Sequence, residues 1–299
     1  MKKFIILGLV IIFVSLNIYS CKNESATLEG NVLESFRSTP IPNIKVYADG
    51  KVTKTNEMGH FQIKGLKKGT IEVTIKDSDK YEEFNDKLVL DAGVNLRDFM
   101  LEAKHPLNIP ASEIPELTSF AYEIFIGLNK DKPLAIANVE TSPTEPALHI
   151  VGKEYDASGK ATNIEVIQIG ITYWVADNYG NWNIIQNPGE SVFRINSVFN
   201  EKYTSAVNFY KDPNITYKDT EEEVVIDGVK TRKFTATVNE GESGFIDNLE
   251  IYVITEGENK GNVKRIISFS PMHSMYPYVE ITLSNLNETI SIEPPIITK

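Results

Sequence analysis

The chain has 299 residues, long enough for two modest domains, and its formal net charge is −11. Its 41 acidic residues outnumber 30 lysines and arginines, which disfavours nucleic-acid binding and broad adhesion to anionic lipid, because both need clustered positive charge. A single cysteine leaves no partner for a disulfide within the chain, so its domains must be held together by apolar cores.

The N-terminal segment has the features of a bacterial export signal. Two lysines precede an apolar run over residues 4–18, which is shorter than a membrane-spanning helix requires. The ending Ile18-Tyr19-Ser20-Cys21 resembles the bacterial lipobox. This resemblance implies that residues 1–20 are a lipoprotein signal peptide and that Cys21 receives a diacylglycerol anchor. The alternatives are a cleaved secretory signal with an incidental thiol and a retained N-terminal membrane helix.

The lipobox resemblance also sets the expected location of the protein. Acyl chains on Cys21 would hold it at a membrane, on the periplasmic or cell-surface side, with residues 21–26 as anchor and tether. After the signal, no apolar stretch of the sequence is long enough to span a bilayer. The remainder of the chain is therefore expected to lie outside the membrane.

Residues 27–103 show the pattern of a small β-sandwich. Short stretches alternate apolar with polar residues between glycines that would reverse the chain. Asn56 and Gly59 suit a tight turn with positive φ, after which Phe61 would re-enter the core. The alternating apolar positions are Ile44, Val46, Ala48, Phe61, Ile63, Ile71, Val73 and Ile75, and the glycines are Gly50, Gly59, Gly65 and Gly69.

Several segments of this domain resemble the carboxypeptidase regulatory-like family, a transthyretin-type β-sandwich. Residues 28–32 are similar to its opening strand, 40–46 to its second strand, and 55–61 to its most characteristic hairpin. The glycine-flanked segment 65–69 follows at the family's distance, and Leu66 would plug one end of the sandwich. The resemblance implies a fold and a role as spacer or accessory module, without a specific activity.

Residues 104–115 are predicted to be a proline-rich linker. Three prolines in residues 105–115 remove backbone donors and stiffen the chain. The alternative is an irregular edge strand packed on one domain. His105 in this segment and His60 in a hairpin are expected to be solvated.

Residues 116–299 have the pattern of an α+β domain with a meandering antiparallel sheet and two helices. Helical spacing of apolar residues predicts helices over 116–128 and 197–210, and Ser197 could cap the second. The predicted strands are Glu165–Val175, Trp182–Ile185, Lys230–Val238, Asn248–Thr255, Asn262–Ser270 and Tyr278–Ser284. Residues 177–181 would turn the chain into Trp182. Residues sharing one face of the first strand would be Ile167, Ile169, Ile171, Tyr173 and Val175.

Three segments of this second domain resemble the LolA-like lipoprotein-carrier superfamily, in particular its LppX- and LprG-type lipid-binding lipoproteins. They are the aromatic hairpin at 170–182, the strand entry at 225–231 and the closing stretch at 283–295. Residues 251–255 depart from the family pattern, because they lack its tryptophan and aspartate. The resemblance implies a curved antiparallel half-barrel closed by helices over an apolar cavity. The expected fold class is thus mainly β, a β-sandwich followed by an α+β half-barrel.

The candidate ligand-binding residues are nine aromatic side chains that would line this cavity. A plain packed core between sheet and helices would use the same residues, so cavity and filled core both stay open. The pattern does not show which face of the sheet meets the helices. The nine residues are Tyr173, Trp174, Trp182, Phe199, Tyr203, Tyr210, Phe234, Tyr252 and Phe269.

Known catalytic and metal-binding patterns are missing from the sequence. The four histidines are far apart, and there is no nucleophile elbow, P-loop or dinucleotide fingerprint. Glu221-Glu222-Glu223 has the composition of a solvated loop, and Asp77-Ser78-Asp79 lacks the further ligands of a calcium loop. We therefore expect no catalysis, no cofactor and no metal.

These observations favour a membrane-anchored lipoprotein that binds a lipid or an acylated lipoprotein in its second domain. The alternative is a non-catalytic envelope or surface module that binds envelope proteins and holds no small ligand. A carbohydrate-binding role is a third hypothesis, suggested by Tyr179 beside Trp174.

Overall fold

The computed structural model describes residues 25–76, 78–142, 147–177, 179–185, 190–212, 214–239, 246–270 and 276–296. Cys21 and the signal segment, with most of the tether, lie outside these residues. The chain divides into two compact units, Met1–Ala103 and Lys104–Lys299, and both are mainly β. None of the helices in the described ranges combines the length and apolarity needed to cross a membrane.

Unit 1 is a β-sandwich of two sheets. One sheet has the order β4-β1-β7, with β8 also paired to β1, and the other has the order β3-β2-β5-β6. The strands are β1 (Ser25–Glu34), β2 (Lys45–Ala48), β3 (Lys51–Lys54), β4 (His60–Lys67), β5 (Gly69–Lys76), β6 (Phe84–Leu90), β7 (Gly93–Leu96) and β8 (Phe99–Leu101).

The core of unit 1 follows from the alternation of its strands. The eight apolar positions identified in the sequence are all buried, and Leu66 is buried with them. Phe99 lies between the sheets, with ring centroids 5.7 Å from Phe61 and 5.2 Å from Phe84. The predicted sandwich is confirmed, because the longer strands β1, β4 and β5 alternate buried apolar residues with less buried ones.

The hairpin at residues 55–61 also forms as predicted. The side-chain oxygen of Asn56 accepts hydrogen bonds from the backbone N–H groups of Met58 (2.9 Å) and His60 (3.0 Å). Gly59 has a φ of 70°, and Phe61 follows it into the core. A short amide side chain and a glycine therefore fix this turn.

Unit 2 is built on one antiparallel sheet of eleven described strands. Its order is β14-β13-β12-β11-β10-β9-β19-β18-β17-β16-β15. The elements are β9 (Phe120–Asn129), β10 (Lys132–Ser142), β11 (Ala147–Tyr155), β12 (Ala161–Ile169), β13 (Thr172–Ala176), β14 (Trp182–Ile185), α1 (Glu190–Val207), β15 (Ile215–Ile226), β16 (Val229–Asn239), β17 (Ile246–Ile254), β18 (Val263–Phe269) and β19 (Tyr278–Ser284), with a 3-10 turn at Ala111–Glu113.

The helix predicted over 116–128 is wrong, since this segment forms β9. Phe120, Tyr122, Ile124 and Ile126 alternate along the strand and are buried. Aromatic and β-branched residues favour strand over helix, and pairing to β10 and β19 satisfies the backbone on both sides. The segment contains so many apolar residues that they also fit a helical spacing by chance.

The strand predicted over Glu165–Val175 is two strands joined by a tight hairpin. Gly170 has a φ of 58°, and Ile171 is exposed in the turn. Ile167 pairs with Trp174, and Gln168 pairs with Tyr173. The predicted shared face is therefore wrong, because the turn places Ile167 and Tyr173 on opposite faces of the sheet.

Helix α1 confirms one of the two predicted helices, with different ends. It begins at Glu190 and ends at Val207, so Ser197 lies inside the helix and does not cap it. The four strands predicted after the helix correspond to β16 to β19, and Trp182–Ile185 corresponds to β14.

Residues 104–119 belong to unit 2 and pack against it. His105 and Ile109 are each 3% exposed. The Leu107 N–H donates to His105 Nδ1 at 3.2 Å, and the His105 ring meets the Tyr210 ring edge-to-face at 4.8 Å. The predicted solvation of His105 is wrong, because the prolines shape a packed irregular segment.

Candidate functional site

The eleven-stranded sheet of unit 2 has two chemically different faces. Pairing across the sheet places Leu283, Tyr122, Val139, Ile150 and Val166 in one row, and paired residues point to the same side. We call this the helix face, because the Tyr122 ring packs on Phe199 of α1. The opposite face carries most of the charged side chains.

The nine aromatic residues predicted to line a cavity do not come together. Pairing and ring contacts place five on the helix face or on the helical segment that covers it, and pairing places four on the opposite face. The first group is Tyr173, Phe199, Tyr203, Tyr210 and Phe234, and the second is Trp174, Trp182, Tyr252 and Phe269.

Four aromatic rings form a stack between α1 and β9. The Tyr122 and Phe199 ring centroids are 3.9 Å apart with planes 11° apart, and Tyr203 continues the stack 5.1 Å from Phe199. Phe120 lies 5.7 Å from Tyr203. Burial raises the pKa of Tyr203 to about 12 and that of Tyr122 further. The stack occupies the space directly between α1 and β9.

A second aromatic cluster follows the end of α1. Phe209 packs on Phe234 at 5.2 Å and on Tyr210 at 5.5 Å. Phe209 and Phe234 are buried. Of the predicted lining residues, Phe234 therefore packs in the core beside Phe209, whereas Tyr210 packs on Phe209 and also lines an open cavity.

Two open cavities flank the Phe120–Tyr203 contact. The amide cavity, about 360 Å³, is lined by Phe120, Tyr122, Leu148, Gln168, Asn196, Phe199, Asn200 and Tyr203, with Thr141, Ser142 and Ala147. The His105 cavity, about 500 Å³, is lined by His105, Ile114, Leu117, Phe120, Tyr203, Tyr210, Lys211 and neighbours along the same segments. Phe120 and Tyr203 belong to both and separate them.

The His105 cavity contains a buried neutral histidine. Burial, with the nearby Lys211 and Lys260, lowers the pKa of His105 to about 4, although a hydrogen bond with the Gly261 backbone acts in the raising direction. His105 therefore stays uncharged at neutral pH. Its nitrogens are used by the Leu107 N–H and by the Gly261 backbone, which suits a structural role.

An ion pair ties α1 to the sheet beside the aromatic stack. Lys202 is 5% exposed and its ammonium group contacts Asp247 of β17, with Glu201 at 2.6 Å. Burial opposes the charge on Lys202, but the two carboxylates outweigh it and raise the Lys202 pKa. The pair is a fixed structural contact between helix and sheet.

The opposite face carries a ladder of charged and aromatic residues. Lys233 pairs with Glu250 at 2.9 Å, and Glu250 also accepts a hydrogen bond from the Tyr252 hydroxyl at 2.9 Å. Arg265 pairs with Glu280, which accepts from the Tyr278 hydroxyl at 2.8 Å. Burial and the bond to Glu280 raise the Tyr278 pKa to about 12. These groups satisfy one another across neighbouring strands.

A polar cavity of about 440 Å³ adjoins Arg265. Its carboxylates come from Glu123, Glu140 and Asp227. Asp227 is paired with Lys264 at 3.2 Å, and Arg265 is paired with Glu280, so both of these charged groups at the cavity already have partners in the protein.

The carboxylates and histidines offer no metal centre within the described ranges. His149 lies 3.3 Å from Glu165 and 3.7 Å from Glu140 on the exposed face. Glu221, Glu222 and Glu223 are exposed as expected, but they lie in β15 at a register shift and not in a loop. Asp77 and His273 fall outside the described residues.

Sequence reasoning missed part of the helix-face site. Phe120 and Tyr122 fall in the segment predicted to be a helix, so their place in the aromatic stack could not be foreseen. Gln168, Asn196 and Asn200 are uncharged amides without a motif. The alternation of Phe120, Tyr122, Ile124 and Ile126 was the available signal for the first two.

Comparisons with known proteins give only distant structural similarities. No known protein family matches the chain, and no curated protein matches it. The resemblances to the carboxypeptidase regulatory-like and LolA-like families therefore stay expectations.

Several solved bacterial structures are similar in part. A provisionally assigned carbohydrate-binding protein from Bacteroides uniformis is 10% identical, with TM-score 0.23, covering 54% of this chain and 99% of its own. A DUF3823 family protein from Bacteroides ovatus is 8% identical, with TM-score 0.23, over 54% and 94%. BcpA, the major pilin subunit of Bacillus cereus, is 10% identical, with TM-score 0.22, over 90% and 98%. Similarities of this size support no assignment of function.

Proposed function

We propose that this chain is a non-catalytic binding module of the bacterial envelope, tethered through Cys21. In this proposal unit 1 is a spacer and unit 2 carries the binding surfaces. The observation that supports it is the 3.9 Å stacking of Tyr122 on Phe199, which occupies the space directly between α1 and β9. Because aromatic rings pack between α1 and β9, a partner would bind at the open cavities or at the exposed surfaces of the sheet.

Acyl-chain binding is the second candidate, as the LolA-like resemblance implies. The observation that favours it is the position of Phe120 and Tyr203 between two cavities of about 360 and 500 Å³. Rotation of the Tyr203 ring would join them into one channel along α1. Against it, the amides of Gln168, Asn196 and Asn200 line that channel, and burying amides against an alkyl chain costs free energy.

Lipid retention separates the two candidates. The mature chain, with Cys21→Ser to prevent acylation, is purified from bacteria and examined by native mass spectrometry before and after delipidation. Titration with a fluorescent fatty acid follows. We expect no bound species of lipid mass and no saturable fatty-acid binding.

A control variant makes the negative result informative. Tyr203→Trp would block any channel between the cavities, and Tyr179→Trp adds the same bulk at a side chain that is 90% exposed. If the parent chain and Tyr179→Trp retain stoichiometric lipid and Tyr203→Trp does not, the acyl-binding candidate replaces the proposal.

A further inference from the structure

The amide cavity is built on a cross-strand row that runs over five strands. Phe120 pairs with Thr141, Thr141 with Leu148, and Leu148 with Gln168. Gln168 pairs in turn with Tyr173. Paired side chains on one face lie about 5 Å apart, so the row is an elongated floor in which apolar and aromatic groups alternate with hydrogen-bonding ones.

Helix α1 supplies the wall above this floor. Asn196, Asn200 and Tyr203 all line the cavity, and spacings of four and three residues place them along one side of a helix. Asn196 is half-buried and Asn200 is exposed, so both amides can be reached from solvent. The cavity is thus a cleft between a mixed floor and an amide wall.

The charge of this lining restricts the ligand. Among the residues that the structure describes, those lining the cavity are aromatic, aliphatic, amide and hydroxyl, and none of these carries a charge. An anionic ligand would meet no lysine or arginine among these described residues, and a cationic one would meet no carboxylate. The lining therefore favours a neutral ligand.

The hydrogen-bonding capacity of the lining restricts the ligand further. Each side-chain amide of Gln168, Asn196 and Asn200 has both donors and an acceptor. The Gln168 nitrogen already donates one hydrogen to the Gly170 carbonyl at 3.0 Å, which leaves its second N–H and its oxygen for a ligand. A hydroxyl group can also donate and accept, so vicinal hydroxyls match such amides. A pure alkyl chain would leave the amides desolvated and unpaired. Apolar side chains between the amides would meet the C–H faces of the same ligand.

From this geometry we infer that the amide cavity binds a neutral carbohydrate, recognised by the amides of Gln168, Asn196 and Asn200. The inference rests on the proposed function, in which unit 2 is a binding module, and it names the class of ligand. The open cleft and its elongated floor fit a segment of an oligosaccharide chain. Tyr173, next to Gln168 in the row, extends the floor at the outer end.

A glycan array tests the inference with the mature chain carrying Cys21→Ser. The probe is a set of immobilised neutral glycans beside sialylated and sulfated ones, followed by isothermal titration calorimetry with the strongest neutral oligosaccharide. We expect binding to neutral glycans. The double substitution Asn196→Leu and Asn200→Leu should raise the Kd at least about tenfold, because leucine keeps the bulk and the helix propensity but removes the amides.

Two further variants keep the result interpretable. Asn163→Leu makes the same change at an exposed position of β12 on the opposite face and should leave the Kd unchanged. Asn200→Ala is a smaller change at an exposed site, which serves if the double variant fails to fold, and should weaken binding severalfold.

Three outcomes would overturn the inference. They are no binding to any neutral glycan, binding only to anionic glycans, and neutral-glycan binding that the Asn196 and Asn200 substitutions do not alter. The lipid-retention measurement reports separately on the proposed function. If the chain retains no lipid and also binds no glycan, the carbohydrate inference is rejected and the proposed interaction module still stands.

Discussion

Gly59 is required by the turn that connects β3 to β4 in unit 1. Its φ is 70°, and a Cβ there would lie 2.7 Å from the backbone oxygen of Val32. Its own carbonyl accepts the Val32 N–H at 2.9 Å. Both the conformation and the close approach of β1 therefore require glycine.

Gly59→Ala is predicted to lower the free energy of unfolding of unit 1 by about 2–3 kcal/mol, through strain at positive φ and displacement of β1. Gly50→Ala is the matched control, since Gly50 has a φ of 73° and a Cβ added there would have no heavy atom within 4 Å, and it should cost about 1 kcal/mol. Urea unfolding followed by circular dichroism measures both. Tryptophan fluorescence reports unit 2 alone, because Trp174 and Trp182 are the chain's two tryptophans. Equal losses for the two variants would contradict the role of the Val32 contact.

His105 gives unit 2 a predicted dependence on pH. Its pKa in the folded chain is about 4 against an ordinary value of 6.5, so the unfolded chain binds more protons between these values. The contribution of His105 to stability is therefore present above pH 6.5 and lost as the pH falls towards 4, by about 3 kcal/mol at most.

Thermal unfolding at a series of pH values checks this prediction. His105→Phe keeps an aromatic ring beside Tyr210 and removes the titrating group, so its midpoint should fall less between pH 6.5 and 4 than that of the parent chain. Lys211 and Lys260 are present in both proteins and cancel in the comparison. Parallel curves for the two proteins would show that His105 does not titrate in this range.

Among the secondary-structure elements, local sequence patterns predicted most strands, but they did not predict which residues of different strands lie on the same face of the sheet. Glycine turns and strict alternation predicted unit 1, since each hairpin there is determined by neighbouring residues. The same Asx turn recurs at Asn56, Asp156 and Asp177, each accepting backbone N–H groups two and four residues on. At residues 116–128 both helical and strand periods fitted, and only pairing with β10 and β19 decides between them.

The candidate site was less predictable for the same reason. The aromatic residues chosen from the sequence are largely buried or half-buried, but alternation along their strands and pairing across the sheet divide them between two faces. Which face meets α1 depends on pairing across the whole sheet, which no local pattern contains. Phe199 and Tyr203 both line the amide cavity and are packed against each other, and their role in ligand binding stays a prediction.

The contact between α1 and β17 depends on the Lys202–Asp247 ion pair. Asp247→Asn would leave a buried ammonium group with only Glu201 as its anionic partner, and we predict a loss of about 3–5 kcal/mol in the free energy of unfolding of unit 2. The double variant Lys202→Met with Asp247→Asn removes both charges and should cost less than Asp247→Asn alone. With Lys202→Met as the second single variant, urea unfolding followed by tryptophan fluorescence measures the double-mutant cycle. A loss in the double variant equal to the sum of the losses in the two single variants would show that the groups do not interact.

At the scale of the whole molecule, unit 2 is closed by residues far apart in sequence. β9 is its first strand and β19 its last, and they pair directly, with Ile124 opposite Ile281. Two meanders, β9 to β14 and β15 to β19, thus become one sheet only through this non-local pairing. Because this pairing must bring together residues separated by a long stretch of chain, we expect it to form late in the folding of unit 2.

Residues 104–115, at the N-terminal boundary of unit 2, are predicted to stabilise it. The sequence pattern places the start of the second domain at residue 116, whereas the compact unit starts at Lys104. A chain of residues 104–299 retains Ile109 in its buried position and His105 against Tyr210. A chain of residues 116–299 loses both, exposes Tyr210, and removes the neighbours of Gly261, whose Cβ position lies 2.9 Å from Ile114. Burying one isoleucine contributes about 1.5–3 kcal/mol, so the shorter chain should be less stable by at least about 2 kcal/mol. Urea unfolding of the two chains side by side measures the difference, and equal stability would mean that residues 104–115 act only as a linker.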